Sequence, residues 1–185
     1  MIKSTFVVLS LTAVFLFASL ASAQDLQAPG CGDPNAKFSV KTTKGQHAIQ
    51  GDGNHPSAGQ PDPGKALVYF LEDDTGFESA PKPTTRIGVD GQWVGATHGN
   101  SYLYFSVDPG VHHLCDSWQR AVALFQGRKT AAAHFTAEAG QTYYFSAKNI
   151  WTRDGPSDMS LNPVDSDEGQ LLANKFSFSA SQPRK

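Results

Sequence analysis

The chain has 185 residues, and its 15 basic and 17 acidic side chains give a formal net charge of −2. Nucleic-acid and anionic-lipid surfaces rest on clustered Lys and Arg, so this near balance argues against both kinds of partner. The longest basic cluster is Arg128-Lys129, which we interpret as two solvated loop charges. The length is ample for a single hydrophobic core.

Residues 1–23 have the pattern of a signal peptide. Lys3 supplies the positive start, an almost wholly apolar run extends to Leu20, and an Ala-Ser-Ala sequence ends at Ala23. We expect cleavage between Ala23 and Gln24, a periplasmic or secreted protein, and no transmembrane segment after cleavage.

Two cysteines, Cys31 and Cys115, most simply form one disulfide in an exported chain. Closing so long a loop would stabilise the fold by roughly 4 kcal/mol in the chain-entropy model. A catalytic or metal-binding thiol is the alternative, but no third ligand lies at zinc-like spacing from either cysteine. A lipid anchor at Cys31 is the other alternative, and no apolar run leads into that residue.

Residues 24–64 are expected to form an irregular N-terminal arm and flexible linker. Lys37 to Lys41 alternates polar and apolar residues and predicts a short strand. Gly45 to Gly64 holds five Gly and three Pro, a composition that cannot bury enough surface to order itself. His47 and His55 fall in this linker and are expected to be exposed.

Residues 65–185 form the predicted main domain. Lys65 to Leu71 is apolar on both faces, which indicates a central strand covered on both sides. Glu72 to Thr85 is interpreted as an exposed connection, in which Glu72, Asp73 and Asp74 resemble a solvated turn.

Ile87 to Cys115 contains two turn signals between apolar runs, which predicts consecutive hairpins. A two-residue loop at Asp90-Gly91 would place Ile87 opposite Val94 and Gly88 opposite Trp93. A two-residue loop at Pro109-Gly110 would pair the strand Tyr102–Val107 with the residues that follow, Val107 opposite His112, Phe105 opposite Leu114 and Tyr104 opposite Cys115.

Two further elements complete the predicted domain. Thr130–Ala137 and Gln141–Lys148 flank Glu138-Ala139-Gly140 as a third hairpin. Asp165 and Glu168 have capping-box spacing, which predicts one short helix near 165–173 before a last, half-buried strand around Phe178.

Frequent Gly and Pro, many short strands and one helix predict an all-β fold. We expect a single antiparallel β-sandwich of about seven to nine strands, immunoglobulin-like or transthyretin-like, preceded by the irregular arm.

Five segments of the sequence, taken in order, carry a family resemblance: KALVYFLED, RIGVDGQWVG, GNSYLYFSVDPGVHHLC, FTAEAGQTYYFSA and LNPVDSDEGQLL. As a set they resemble the bacterial "domain of unknown function 2846" family of exported proteins, over roughly Lys65 to Ser179. That resemblance implies an extracytoplasmic β domain and carries over no catalytic residues. The VDG…VG…PG-x-H pattern is also similar, more loosely, to PEGA-type β modules, which are regarded as structural or binding units.

Histidines raise the question of a metal. His112 and His113 are adjacent, so on a strand they point to opposite faces and cannot chelate one ion together. A zinc or copper site would need His98, His113 and His134 on neighbouring strands. The competing interpretation is one packed and one solvent-facing histidine.

Acidic residues also raise the question of calcium. Asp165, Asp167 and Glu168 precede Gly169, which arrives one position too early for an EF-hand loop. Carboxylates at a helix start, where the helix dipole favours them, explain the cluster.

The sequence contains no nucleophile elbow, P-loop or dinucleotide fingerprint. Ser101 and Ser106 lie near histidines in the sequence but lack the strained turn of a triad nucleophile. We therefore expect a protein that is not an enzyme, with no catalytic residues and no cofactor.

Aromatic side chains offer a candidate binding surface for a sugar ring, a peptide or a protein. The residues concerned are Trp93, Tyr102, Tyr104, Tyr143 and Tyr144. The competing interpretation is that most of these rings are core. We expect an exported, non-catalytic β-sandwich that binds an unknown protein or glycan of the cell envelope; a periplasmic metal-binding protein is the first alternative and a hydrolase the second.

Overall fold

A computed structural model describes residues 31–44, 60–78, 81–120, 128–153, 155 and 157–184. The predicted signal peptide, residues 45–59 of the linker with both of its histidines, and an apolar piece at 121–125 lie outside the described residues. The elements are β1 (Phe38–Thr43), β2 (Ala66–Phe77), β3 (Thr84–Val89), β4 (Gln92–His98), β5 (Ser101–Val107), β6 (Gly110–Trp118), β7 (Thr130–Ala137), β8 (Thr142–Trp151), β9 (Asp158–Val164), α1 (Ser166–Lys175) and β10 (Ser177–Pro183).

The strands form two sheets, as predicted for an all-β, sandwich-like fold. One sheet has six strands in the order β1-β10-β5-β2-β8-β9, and the other has four in the order β4-β3-β6-β7. The main core combines side chains of both sheets, including Phe70, Leu103 and Phe145 from the first and Ile87 and Leu114 from the second. The sheets therefore pack face to face.

The six-stranded sheet is mixed, so the expectation of a purely antiparallel sandwich is wrong. β2 pairs in parallel with β8, and β10 pairs in parallel with β5. Parallel neighbours need a long crossover connection. The chain supplies one between β2 and β8 by passing through the four-stranded sheet, a path that local turn signals do not reveal.

β2 is the central strand that the sequence predicts. Its residues Ala66 to Leu71 are all buried. Ala66, Val68 and Phe70 face the core between the sheets, whereas Leu67, Tyr69 and Leu71 pack on the outer side. The strand continues to Phe77, six residues beyond its predicted end.

The Asp90-Gly91 hairpin is confirmed. Both turn residues have positive φ angles, 50° and 82°, and Val89 pairs with Gln92. Gly88 lies opposite Trp93 as expected, but Ile87 pairs with Gly95 and not with Val94. A register shift between Ile87 and Gly88 absorbs one extra residue of β4, as a β-bulge does.

The other two predicted hairpins are wrong. β5 and β8 belong to the six-stranded sheet, whereas β6 and β7 belong to the four-stranded sheet. The connections at Pro109-Gly110 and Glu138-Ala139-Gly140 therefore cross between sheets, and Phe105 does not pair with Leu114. A turn signal between two apolar runs marks a reversal of direction, but which sheet each strand joins depends on the packing of their faces.

The predicted short helix is confirmed as α1. The side chain of its N-cap Asp165 accepts a hydrogen bond from the Glu168 backbone N–H at 2.9 Å, as in the expected capping box. The helix packs on the outer face of the six-stranded sheet, over Leu67, Tyr69 and Tyr144. Gly169 is the buried residue of α1, and a Cβ at this position would overlap the Tyr144 ring.

Residues 31–36 of the N-terminal arm lie on the outer face of the four-stranded sheet. The predicted disulfide joins Cys31 to Cys115, with 5.6 Å between the two Cα atoms. Arg86, which is 2% exposed, donates through Nη1 to the carbonyls of Pro34 and Ala36 at 3.0 and 2.9 Å. The Arg86 guanidinium also lies 4.4 Å from the centroid of the Trp93 ring. The disulfide at Cys31 and the Arg86 hydrogen bonds to Pro34 and Ala36 therefore attach this segment to the four-stranded sheet.

Within the described ranges, no helix is both long enough and apolar enough to cross a membrane.

Gly169→Ala should destabilise the protein although Ala favours helix more than Gly. Helix propensity alone would contribute a gain of about 0.5–1 kcal/mol. The added methyl must displace the Tyr144 ring, and overpacking of this kind costs about 1–3 kcal/mol. Urea denaturation measures the net change. Asn174→Ala, at an exposed position of the same helix, is the control and should be neutral or slightly stabilising.

Arg86→Lys should lower the free energy of unfolding by about 1–3 kcal/mol, because one ammonium cannot span two carbonyls and the Ser117 hydroxyl. Arg128→Lys is the matched control, since Arg128 also donates to the Pro34 carbonyl but is exposed. It should change stability by less than about 0.5 kcal/mol. Equal losses in the two variants, measured with the disulfide intact, would contradict this role of Arg86.

Candidate functional site

Three fully buried carboxyl groups lie at one end of the space between the sheets. The inward-facing row of β2 continues past Phe70 into Glu72 and Asp74, and neither side chain is exposed. Asp116 enters from β6 of the opposite sheet and is equally buried. The interpretation of residues 72–74 as a solvated turn is therefore wrong. We call Glu72, Asp74, Thr85, Asp116, Trp118 and Asn149 the buried polar cluster.

Asn149, on β8, is the centre of the buried polar cluster. Its Oδ1 accepts a hydrogen bond from Trp118 Nε1 at 2.8 Å. An indole nitrogen can only donate, so this bond places the amide oxygen toward Trp118 and the amide nitrogen toward the carboxyl groups. Asn149 Nδ2 donates to Glu72 Oε1 at 3.0 Å and to Asp74 Oδ1 at 2.6 Å, with Thr85 Oγ1 at 3.3 Å.

Thr85 links the two sheets directly. Its hydroxyl, on β3, donates to Glu72 Oε1 on β2. Thr97, opposite Thr85 on β4, donates its hydroxyl to the Thr85 carbonyl at 3.4 Å. Because Asn149 belongs to the six-stranded sheet, Glu72 Oε1 accepts hydrogen bonds from both sheets.

A bulge in β2 positions Asp74. The register with β8 shifts between Asp73 and Gly76, next to Asn149. Asp73 Oδ1 accepts from both the backbone N–H and the hydroxyl of Thr75, which supports the local bend. The Lys82 ammonium donates to the Asp74 carbonyl at 2.9 Å and to the Phe77 carbonyl, so one cation lies beside the cluster.

The surroundings raise the pKa of all three acids. Burial, and then the neighbouring Asp74, raise the pKa of Glu72 well above its ordinary value. Burial raises the pKa of Asp74 to about 6, against the opposing effects of the Asn149 hydrogen bond and the Lys82 charge. Burial raises the pKa of Asp116 to about 8, although the Ala131 N–H donates to its Oδ1 at 3.0 Å.

Each acid also keeps one oxygen without a hydrogen-bond partner among the described residues, namely Glu72 Oε2, Asp74 Oδ2 and Asp116 Oδ2. An unpaired carboxylate oxygen in a protein core is costly, and protonation lowers that cost because it removes the charge. All three pKa values shift in the direction that favours the protonated acid, least for Asp74, whose pKa of about 6 leaves it largely ionised at pH 7. The amide N–H groups of Asn149 point at the carboxyl oxygens of Glu72 and Asp74, an arrangement that opposes binding of a metal cation at those oxygens.

One signal in the sequence marks two acids of this cluster. Glu72 and Asp74 continue the alternation of Ala66, Val68 and Phe70 without a break, which places both acids on the core face of β2. Their partners Thr85, Asp116 and Asn149 are distant in the sequence and carry no such signal.

The three histidines named for a metal site do not meet. His113 and His134 are directly opposite on β6 and β7. His113 lies near Asp90, whose backbone N–H donates to the His113 carbonyl. His98 pairs with Thr84 at the other end of β3. Thr84 is about six residues, or roughly 20 Å, along the strand from Asp90. Across the described segments, no group of three or more His, Cys, Asp or Glu residues is placed to hold a metal ion.

His112 supports the turn before β4. Its Nδ1 lies 2.7 Å from Asp90 Oδ2, and its Nε2 lies 2.7 Å from the Asp108 carbonyl oxygen. Burial lowers the pKa of His112, but the hydrogen bonds to Asp108 and Asp90 outweigh it and leave the pKa above its ordinary value. This pairing with main-chain and turn atoms gives His112 a structural role.

The five aromatic residues named as a binding surface do not form one exposed strip. Tyr102 and Tyr104 are 6% and 4% exposed and pack with Tyr69 and Tyr144 on the sheet face that α1 partly covers. Tyr143 faces the main core, where its ring lies 5.0 Å from Phe135. Trp93 is on the other sheet, where its Nε1 donates to the Asp33 carbonyl of the arm at 2.8 Å.

One protein family matches the sequence of this two-sheet domain. The family described as "Protein of unknown function (DUF2846)" matches residues 62–164. The chain belongs to the DUF2846 family. No curated protein and no solved structure matched the chain.

The DUF2846 match extends from just before β2 to the end of β9, so it contains the whole buried polar cluster and the His113–His134 pair. The arm with Cys31, α1 and β10 lie outside the matched segment. The disulfide thus joins a residue outside the DUF2846 segment to one inside it.

Asp116 should make the protein less stable as the pH rises. Its unfolded pKa is near 3.8 and its folded pKa is about 8, so between these values the folded state holds a proton that the unfolded state has lost. The free energy of unfolding therefore falls from about pH 4 to pH 8. Asp116→Asn keeps the oxygen that accepts from Ala131 and cannot ionise.

Thermal or urea unfolding of the variant and the wild type at pH 5 and pH 8.5 tests this expectation. Between pH 5 and pH 8.5 the wild type should lose up to about 4 kcal/mol more of its free energy of unfolding than Asp116→Asn does. Asp158→Asn, at an exposed position of β9, is the control and should leave the pH profile unchanged. A profile for Asp116→Asn that parallels the wild type would contradict a buried, protonated Asp116.

Proposed function

We propose that the protein is an exported, non-catalytic β-sandwich module, of the immunoglobulin-like or transthyretin-like type, that binds a protein partner in the cell envelope. The observation that carries this proposal is the position of the acidic side chains and the bonds they make. Glu72, Asp74 and Asp116 lie inside the core and connect the two sheets, and they do not converge on an open cleft. Carboxyl groups that are buried and hydrogen-bonded between the sheets support a structural role for the buried polar cluster.

Export is supported by two independent features. The pattern of residues 1–23 is that of a signal peptide. The Cys31–Cys115 disulfide is the kind of bond that forms in the periplasm or outside the cell and is rare in the cytosol.

The proposed contact surface is the outward face of β6 and β7. Val111 lies opposite Thr136, and His113 lies opposite His134, so these side chains share one face. Val111 is 63% exposed, and His134 and Thr136 are also exposed. We call Val111, His113, Ala132, His134 and Thr136 the imidazole face.

A protein partner fits the imidazole face better than a glycan does. Sugar rings are commonly bound by stacking on aromatic side chains. Tyr102, Tyr104 and Tyr143 are packed against other rings and offer little face for such stacking. A flat β surface with one exposed Val and two imidazoles suits a protein contact, and the looser likeness to PEGA-type modules agrees with a binding role.

Photo-crosslinking in the cell of origin tests the contact surface. A photoreactive amino acid at position 111 should give a discrete protein adduct in the envelope fraction. The same residue at position 171 is the control, because Leu171 is 66% exposed but lies on α1, on the opposite sheet. An adduct at position 171 and none at position 111 would move the contact to the helix, and no adduct at either position would contradict the proposal.

The hydrolase alternative predicts a different result. If a buried carboxyl group took part in a reaction, Glu72→Gln or Asp116→Asn would abolish the biological role of the protein while the fold survived. Under the proposed function, complementation of a deletion strain by either variant should equal that of the wild type. Loss of complementation by a folded, correctly exported carboxamide variant would favour catalysis.

A further inference from the structure

His113 and His134 form a cross-strand pair on an exposed face of the four-stranded sheet. The two residues are directly opposite in the antiparallel register of β6 and β7, and their ring centroids lie 6.5 Å apart. Directly opposed residues carry their Cβ atoms about 4.5–5.5 Å apart, with both side chains on the same side of the sheet. The strand pairing therefore holds the two imidazoles together without any further contact.

This spacing is close to what two imidazoles need to bind one ion. A metal at about 2.0–2.1 Å from one nitrogen of each ring would bring the two centroids to within roughly 5–6 Å of each other. His134 is exposed and can make this adjustment by a change of rotamer. His113 is held more firmly, because its backbone N–H donates to Asp90 Oδ1 at 2.9 Å.

The local charge also favours a cation. The Asp90 carboxylate lies beside His113, whose backbone N–H donates to Asp90 Oδ1 at 2.9 Å. None of the five described residues that define the imidazole face is Lys or Arg. A positive ion at the pair would therefore meet attraction from Asp90 and no basic side chain within this face.

We propose that His113 and His134 chelate one divalent transition-metal ion, Cu²⁺ most tightly, then Ni²⁺ and Zn²⁺, with solvent or a partner group completing the coordination. Imidazole nitrogen is a ligand for these ions, whereas Ca²⁺ and Mg²⁺ need oxygen ligands. Affinities for a nitrogen site rise from Ni²⁺ to Cu²⁺ and fall to Zn²⁺. The proposal goes beyond the proposed function and does not depend on it.

Two other described histidines do not belong to this site. Both ring nitrogens of His112 are engaged by Asp90 and by the Asp108 carbonyl. His98 bonds the Pro83 carbonyl through Nδ1 at 2.9 Å and lies at the far end of β3. These two histidines therefore serve as internal controls.

The test is isothermal titration calorimetry of the full mature chain, free of any affinity tag. The salts titrated are those of Cu²⁺, Ni²⁺, Zn²⁺ and Mg²⁺. The wild type should bind one Cu²⁺ per chain at this pair, and Mg²⁺ should give no signal. His134→Ala should weaken Cu²⁺ binding at least tenfold, since changes even of outer-sphere partners cost about 10–100-fold. Thr136→Ala, on the same strand and face, should leave binding unchanged.

Electron paramagnetic resonance of the Cu²⁺ complex gives a second, independent readout. The superhyperfine pattern should show two imidazole nitrogens in the wild type and one in His134→Ala or His113→Ala. His134 is exposed, so its replacement should not disturb the fold, and the thermal unfolding of the metal-free variant checks this. Unchanged Cu²⁺ affinity in the His113→Ala/His134→Ala double variant, or a loss caused equally by His98→Ala, would overturn the proposal.

Discussion

The orientation of one amide organises the interior of this protein. Asn149 must place its oxygen toward Trp118, because an indole nitrogen only donates, and its nitrogen therefore faces Glu72 and Asp74. Removing any member would leave buried polar atoms unpaired, which costs about 1–3 kcal/mol for each group. Since Trp118 and Thr85 belong to one sheet and Asn149 to the other, this network fixes how the two sheets face each other.

The two outer faces of the sandwich are covered by different means. On the six-stranded sheet, α1 packs over a layer of tyrosines, and Gly169 allows the helix to approach Tyr144. On the four-stranded sheet, residues 31–36 form no helix or strand and need specific bonds, which Arg86 and the disulfide provide. A helix can bury an apolar stripe, whereas an extended arm has backbone carbonyls that must find donors.

The distribution of chemical groups follows from this construction. The three acids are turned inward, where burial raises the pKa of each. The tyrosines lie packed against one another and against the elements above them, and His112 is bonded to a turn. What remains outward is a β surface with His113 opposite His134 on neighbouring strands. A partner contact and a metal ion would use the same face of the molecule, but the two proposals depend on different residues, Val111 for the contact and the His113–His134 pair for the ion.

The sequence by itself determined the local elements of this protein, because those depend on periodicity and turn chemistry within a few residues. The alternation in β2, the Asp90-Gly91 turn and the Asp165 cap were all readable, and so was the disulfide, from compartment and count. The tertiary structure alone decided which sheet each strand joins and where Glu72 and Asp74 lie. Those outcomes depend on long-range partners such as Asn149, whose burial and pairing leave no mark on neighbouring residues.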